Sequence, residues 1–167
     1  MSGQTVLPRS AAVQWRCLPF AAMSADTLYR LLRLRSEVFV VEQNCVFLDM
    51  DNSDAQAMHL MGHTGKMGEA QCELVAYARC FGPGVKYAEA SIGRVITASQ
   101  ARAGGLGHVL MREAVRALQA HWGPQPIRIG AQARLQAFYE QHGFVREGEP
   151  YIEDGIPHFE MLRPPSR

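Results

Sequence analysis

The sequence predicts an α/β sandwich built on a mixed sheet. Strand-like and helix-like apolar patterns alternate along the chain. Two strand-like runs are joined by the glycine-containing loop "TGKMGEAQC" (64–72), a hairpin pattern that calls for antiparallel pairing. A long amphipathic helix separates two other runs, a crossover that calls for parallel pairing.

The elements follow in order. "AVQWRCLPF" (12–20) reads as a first strand, and Ser24 as the N-cap of a helix. The apolar positions Leu28, Leu31, Leu32, Val38 and Phe39 fall mostly on one stripe of that helix. "VVEQNCVFLDMDNSDAQ" (40–56) is expected to be irregular or weakly helical. "AMHLMGH" (57–63) and "ELVAYARCF" (73–81) form the hairpin, and "ASIGRVITA" (90–98) a further strand. A helix then places Leu106, Val109, Leu110, Ala114, Ala117 and Leu118 on one face and ends at "HWGPQP" (121–126). "IRIGAQ" (127–132) is a strand, and "ARLQAFYEQHGF" (133–144) a short helix closed by Gly143 in a left-handed cap. "REGEPYIEDGIPHFEMLR" (146–163) supplies two last strands around the turn "EDGIP".

At 167 residues the chain fits one domain, 12–163, with 1–11 and 164–167 as flexible termini. Lys and Arg number 17 against 16 Asp and Glu, so no basic excess marks a nucleic-acid or membrane-surface binder. Cys17, Cys45, Cys72 and Cys80 show neither metal-ligand spacing nor a C-x-x-C pair and are expected to be reduced, mostly buried thiols. The first residues lack an apolar signal core, and no run reaches membrane-spanning length. A cytoplasmic protein is expected. His59 and His63 sit in a strand-like run without the Glu of H-E-x-x-H, so no metal site is expected.

"SQARAGGLGHVLMREAV" (99–115) places three glycines at a helix entrance. A first helical turn leaves N–H groups unpaired and carries the positive end of the macrodipole, so bare backbone there suits an anion. A tight strand-to-helix turn would also use glycine. The Walker pattern fails because His108 follows Gly107, and the dinucleotide fingerprint fails at Leu110.

The pattern present is R-x-x-G-x-G, from Arg102 to Gly107, and it resembles the pyrophosphate loop of the GCN5-related N-acetyltransferases (GNAT). "GRVITASQARAGGLG" resembles that family's central strand and loop, with Ala98 or Ser99 where proline is usual. "LQAFYEQHGF" resembles its next helix. "LRLRSEVFVVEQNCVFLDMD", "GAQARLQAFY" and "EDGIPH" resemble the small bacterial subgroup named for ElaA. The resemblance runs from about Trp15 to Met161.

It implies a sheet of about six or seven mostly antiparallel strands, about four helices, and central strands that splay apart. It implies an acetyl-CoA-dependent N-acetyltransferase in which a primary amine of a small molecule or peptide attacks the thioester directly. The pyrophosphate would rest on Arg102, Ala103, Gly104, Gly105, Leu106 and Gly107, and the pantetheine arm along Val95, Ile96 and Thr97. Arg102 either adds a charge-assisted bond or is a solvated loop arginine. Tyr139 matches the family's general acid, although Leu135, Phe138, Tyr139 and His142 on one helical face would also suit a core aromatic. A phenol reprotonates a departing thiolate at an uphill cost of about 2 kcal/mol.

Two residues are candidate bases. His158 offers a side chain that titrates near neutrality, against the plainer reading of an exposed residue after a turn. Glu42 is the other, against a structural role as carboxylate partner of Arg35, which falls on the apolar stripe. Asp49, Asp51 and Asp54 read as loop-capping acids before attractors of a cationic substrate. Two rival readings keep the fold: a non-catalytic acyl-CoA sensor, and a relative of the acyl-homoserine-lactone synthases. Neither nucleic acid nor membrane is expected as a partner; a homodimer is compatible with the sequence.

Overall fold

The structure, a computed structural model, describes residues 12–165. The expectation of flexible termini therefore falls outside the described residues, except at Pro164 and Pro165. The strands are β1 (Gln14–Pro19), β2 (Met58–Thr64), β3 (Glu73–Phe81), β4 (Ala90–Thr97), β5 (Ile127–Gln132), β6 (Val145–Glu153) and β7 (Ile156–Arg163). The α-helices are α1 (Ala25–Arg35), α2 (Leu106–Trp122) and α3 (Gln136–Glu140). Together the strands form one seven-stranded sheet in the order β1-β2-β3-β4-β5-β7-β6. Among the described residues only β4 and β5 run parallel, joined by the α2 crossover, whereas the α1 connection returns the chain antiparallel from β1 to β2. The mixed sheet expected from the sequence is what forms.

Local chemistry explains the helix boundaries. The Ser24 hydroxyl accepts from the Thr27 N–H and starts α1. The helix does not stop at Arg35. It widens into a π-type segment, Ser36–Glu42, so the first part of 40–56 is helical and the rest irregular up to one 3-10 turn, Asp54–Gln56. The last helix is shorter than its pattern suggests: a 3-10 turn over Ala133–Leu135 precedes α3. Gly143, at φ +83°, closes it as expected.

Strand β3 shows why both sheet faces are covered. Ala76, Ala78 and Cys80 face α2 with Leu110, Met111, Ala114 and Leu118. Val75 and Tyr77, of opposite parity, face α1 with Leu31, Leu34 and Val38. None of the four cysteines forms a disulfide, and only Cys80 is buried, not most of them; the other three keep partial exposure. Among the described residues no helix is long and apolar enough to cross a membrane.

Candidate active site

Parallel pairing between β4 and β5 is limited to Ala90 with Ile127 and Ser91 with Arg128. Beyond Ser91 the strands diverge. A bulge in β4 accompanies the divergence: Gly93 pairs with Arg79 and Ile96 with Tyr77, three steps on β4 against two on β3. Arg94 takes up the extra step at φ +48°, a left-handed conformation that costs a non-glycine residue free energy. Its guanidinium is anchored on Asp49 at 2.8 Å. The divergence opens a cleft of about 1040 Å³.

Val95, Ile96 and Thr97 line one wall of this cleft, and Ile129, Gly130 and Gln132 of β5 line another. Arg102 and Gly107 line it where the glycine turn enters α2. Gly104 and Gly105 adopt φ +96° and +77°, so the turn requires glycine. Gly105 caps α2 without any side-chain bond. Among the described residues, none of the turn hydrogen bonds uses the N–H of residues 103–107. A side chain at Gly104 or Gly105 would meet no atom within 4 Å, so open space adjoins the turn.

Arg102 is exposed, as a solvated loop arginine would be, but it is not free. It donates to the Thr97 carbonyl at 3.0 and 3.3 Å and grips both carboxylate oxygens of Glu42. The hydrogen bond from Arg102 holds the Glu42 carboxyl below its ordinary range. Glu42 is therefore not the partner of Arg35.

Arg35, fully buried, instead pairs with Asp49 at 2.8 Å and Asp54 at 2.7 Å. Arg79, in the middle of β3, binds Asp51 at 2.7 Å and Asp54 at 2.9 Å. The three aspartates are thus counter-ions of buried arginines; only Asp51 also caps its loop, accepting from the Ser53 N–H at 3.1 Å. This network pins the 44–54 segment beside the cleft, where Asp51 and Phe47 form part of the lining. Burial alone would raise Asp51 and Asp54, but Arg79 and Arg35 outweigh it and hold both carboxyls low. Burial also lowers His59 and His63.

These shifts fix the acid limb of stability. The unfolded chain binds protons to those histidines below about pH 6.5 and to those carboxylates below about pH 4, where the folded chain resists them. The melting temperature is expected to fall from pH 7 to 5 and more steeply below pH 4. Thermal melts across that range check it; a flat profile down to pH 4 contradicts the histidine contribution.

Tyr139 and His158 both line the cleft. Tyr139 sits edge-on to Phe138 and Phe144, and its burial pushes the phenol up to about 12. His158 is buried, not exposed as a residue after a turn would be, because β7 inserts it opposite Gln132 of β5. Its Nδ1 lies 2.7 Å from the Ile156 carbonyl. A carbonyl only accepts, so Nδ1 carries a proton and donates this bond, while Nε2 lies 3.6 Å from the Glu153 carboxylate. The ring stacks on Tyr151 at 5.6 Å. Gly130 is bare for a reason: a Cβ there would stand 2.7 Å from the Tyr151 hydroxyl and 3.3 Å from that of Tyr87. Both tyrosines line the cleft and carried no sequence pattern.

Residues 41–163 match the family model described as "Acetyltransferase (GNAT) domain". The chain is 40% identical over 153 residues to Protein ElaA of Escherichia coli, covering 90% of this chain and 96% of that protein. It is 37% identical over 150 residues to the UPF0039 protein sll0451 of Synechocystis, covering 90% and 94%. Among solved structures, an acyl-CoA N-acyltransferase from Pseudomonas aeruginosa superposes with a TM-score of 0.82 at 42% identity, covering 91% of this chain and 99% of that one. The corresponding values for E. coli ElaA are 0.80, 40%, 91% and 99%. Diverging central strands, a bare-amide turn at a helix mouth and a family match across most of the chain lead to one conclusion: this chain belongs to the GNAT acetyltransferase family and is an acyltransferase.

Proposed function

We propose that the protein transfers an acetyl group from acetyl-CoA to a primary amine of a small molecule or peptide. The observation that carries this reading is the divergence of β4 from β5 directly beside the open amides of residues 103–107. The pyrophosphate rests on those amides, where the first turn of α2 favours negative charge. The pantetheine arm adds to the free edge of β4 at Val95, Ile96 and Thr97 as an extra strand would.

The amine reaches the thioester as an ammonium and must lose a proton, at a cost of about 4–5 kcal/mol for a lysine-like amine at pH 7. His158 Nε2 takes that proton directly or through one water. The amine nitrogen bonds to the carbonyl carbon, and a main-chain N–H that the bulge frees from β3 holds the oxyanion. The C–S bond then breaks, Tyr139 protonates the departing sulfur, and the second proton shed by the new amide nitrogen passes through water to restore the Tyr139 phenol. Glu42 serves as a positioning residue that aims Arg102 at the coenzyme. Glu42→Gln is expected to raise KM for acetyl-CoA and leave kcat within about threefold, since an exposed pair of this kind is worth at most about 1 kcal/mol. Steady-state kinetics check it; a hundredfold loss of kcat would make Glu42 the base.

A panel of amines screened with acetyl-CoA by free-thiol release tests the function itself. Thiol release that depends on an added amine supports it. Coenzyme binding without turnover for any amine would leave the protein a sensor.

A further inference from the structure

Ile127, Ile129 and Ala131 of β5 pack in the core under α2, so Arg128, Gly130 and Gln132 point to the opposite face of the sheet. Register puts His158 of β7 opposite Gln132 and Glu160 opposite Gly130, and Tyr151 of β6 opposite His158. These side chains therefore share one face, and Gly130, Gln132, His158 and Tyr151 line the cleft.

Two hydroxyls meet over Gly130. The Tyr151 hydroxyl lies 2.7 Å, and the Tyr87 hydroxyl 3.3 Å, from the point where a Cβ would stand, so both converge on one spot above the β5 backbone. They arrive from different elements, Tyr87 from the loop between β3 and β4 and Tyr151 from β6. Both side chains are half-buried, and among the described residues neither hydroxyl has a hydrogen-bond partner. Two converging phenols with unused bonding capacity suit a polar group of a ligand.

The surrounding charge selects that group. Arg128 is shared by three carboxylates, Glu89 at 2.9 Å, Glu147 at 2.8 Å and Glu160 at 3.0 Å. Glu153 and Asp154 line the same end of the cleft. The nearby cations are already engaged: Lys86 and Arg79 by Asp51, and Arg94 by Asp49. A ligand carboxylate is repelled by this excess of acids and an ammonium attracted. The phenols respond in the same sense, since burial, then Glu160 and Glu153, push Tyr87 up. A phenol oxygen accepts from N–H, and its ring face favours a cation.

His158 and Glu160 stand two residues apart on β7, so the hydroxyl pair lies about 7 Å along the strands from the level of His158. That is about the reach of a four-carbon amine stem. We propose that Tyr87 and Tyr151 hold a second, non-reacting ammonium of the acceptor, which makes the preferred acceptor a short diamine. Its other amine meets the thioester beside His158, a step that rests on the acetyl transfer proposed above.

Three acceptors of equal carbon count test this: butylamine, diaminobutane with an amine at each end, and aminobutyrate with its carboxylate at the far end. Calorimetry of each, with and without CoA, on wild type, on Tyr87→Phe and on Tyr87→Phe/Tyr151→Phe reads the subsite. Phenylalanine keeps the rings, including the stack on His158, and circular dichroism checks the fold. Wild type is expected to bind diaminobutane at least about tenfold more tightly than butylamine, the scale of one hydrogen bond from a charged donor, and aminobutyrate more weakly than either. The double variant is expected to bring the first two affinities within about threefold of each other. Should it not fold, Tyr87→Phe on its loop decides, with the preference expected to fall at least about threefold. Equal affinities in wild type, a preference for aminobutyrate, no binding of any of the three, or a preference that survives in the variants overturns the subsite. Thiol release with acetyl-CoA reads the function separately. Diaminobutane bound with the expected preference but never acetylated leaves the subsite standing and refutes the acetyl transfer.

Discussion

Tyr139→Phe is expected to slow acetyl transfer by about a hundredfold while coenzyme affinity stays at the wild-type value, because a positioned proton donor is worth that much and the ring itself remains. The phenyl group preserves the edge-on contacts with Phe138 and Phe144, so the fold should not suffer. With the phenol pushed up to about 12, Tyr139 stays protonated through neutral and moderately alkaline pH. A donor in that state produces no alkaline fall in rate below about pH 11. Against a thiol at its ordinary value of about 8.5, a phenol at about 12 makes the transfer uphill by about 5 kcal/mol. Rates of thiol release from pH 7 to 10.5, paired with calorimetry on both proteins, check each part. Unchanged kcat in the variant would return Tyr139 to a packing role.

Arg35→Met should cost about 3–5 kcal/mol of folding stability, the range for removing one partner of a buried ion pair. Methionine fills much of the same volume, so the loss comes from charge: Asp49 and Asp54 lose a fully buried counter-ion. Arg94 still holds Asp49 and Arg79 still holds Asp54, which keeps the variant foldable. Since single domains are stable by about 5–15 kcal/mol, the change is large on that scale. Urea denaturation measures it directly; a loss below about 1 kcal/mol would mean that Arg35 contributes little to fixing the 44–54 segment. Activity is expected to fall too, because Phe47 and Asp51 of that segment line the cleft.

Much of the fold was legible because its elements carry strong local signals. Ser24 at a helix start, the alternating parity of Val75 to Cys80 and the glycine at 143 each specify structure within a few residues. The amide turn was legible for the same reason, since Gly104 and Gly105 adopt left-handed backbone that few other residues tolerate. Long-range pairing was not. Nothing adjacent to Arg35 announces Asp49 or Asp54, 14 and 19 residues away, so the nearer Glu42 was the natural but incorrect partner. One signal was available: Arg79 interrupts the apolar run "LVAYARCF", and a charge inside a central strand demands buried carboxylates. The burial of His158 depends on the register of β7 against β5, which a turn pattern does not encode. The left-handed step of the bulge falls on Arg94 and not on the adjacent Gly93, so no glycine marks that step.

Everything proposed for this enzyme depends on main-chain hydrogen-bond donors at the mouth of α2 accepting a diphosphate. Amide-resolved NMR during titration with CoA observes those donors one by one. The N–H signals of residues 103–107 are expected to move downfield, and those of Val95, Ile96 and Thr97 to shift with them. Coenzyme that binds while both groups of signals stay in place, or that does not bind, would contradict the assignment.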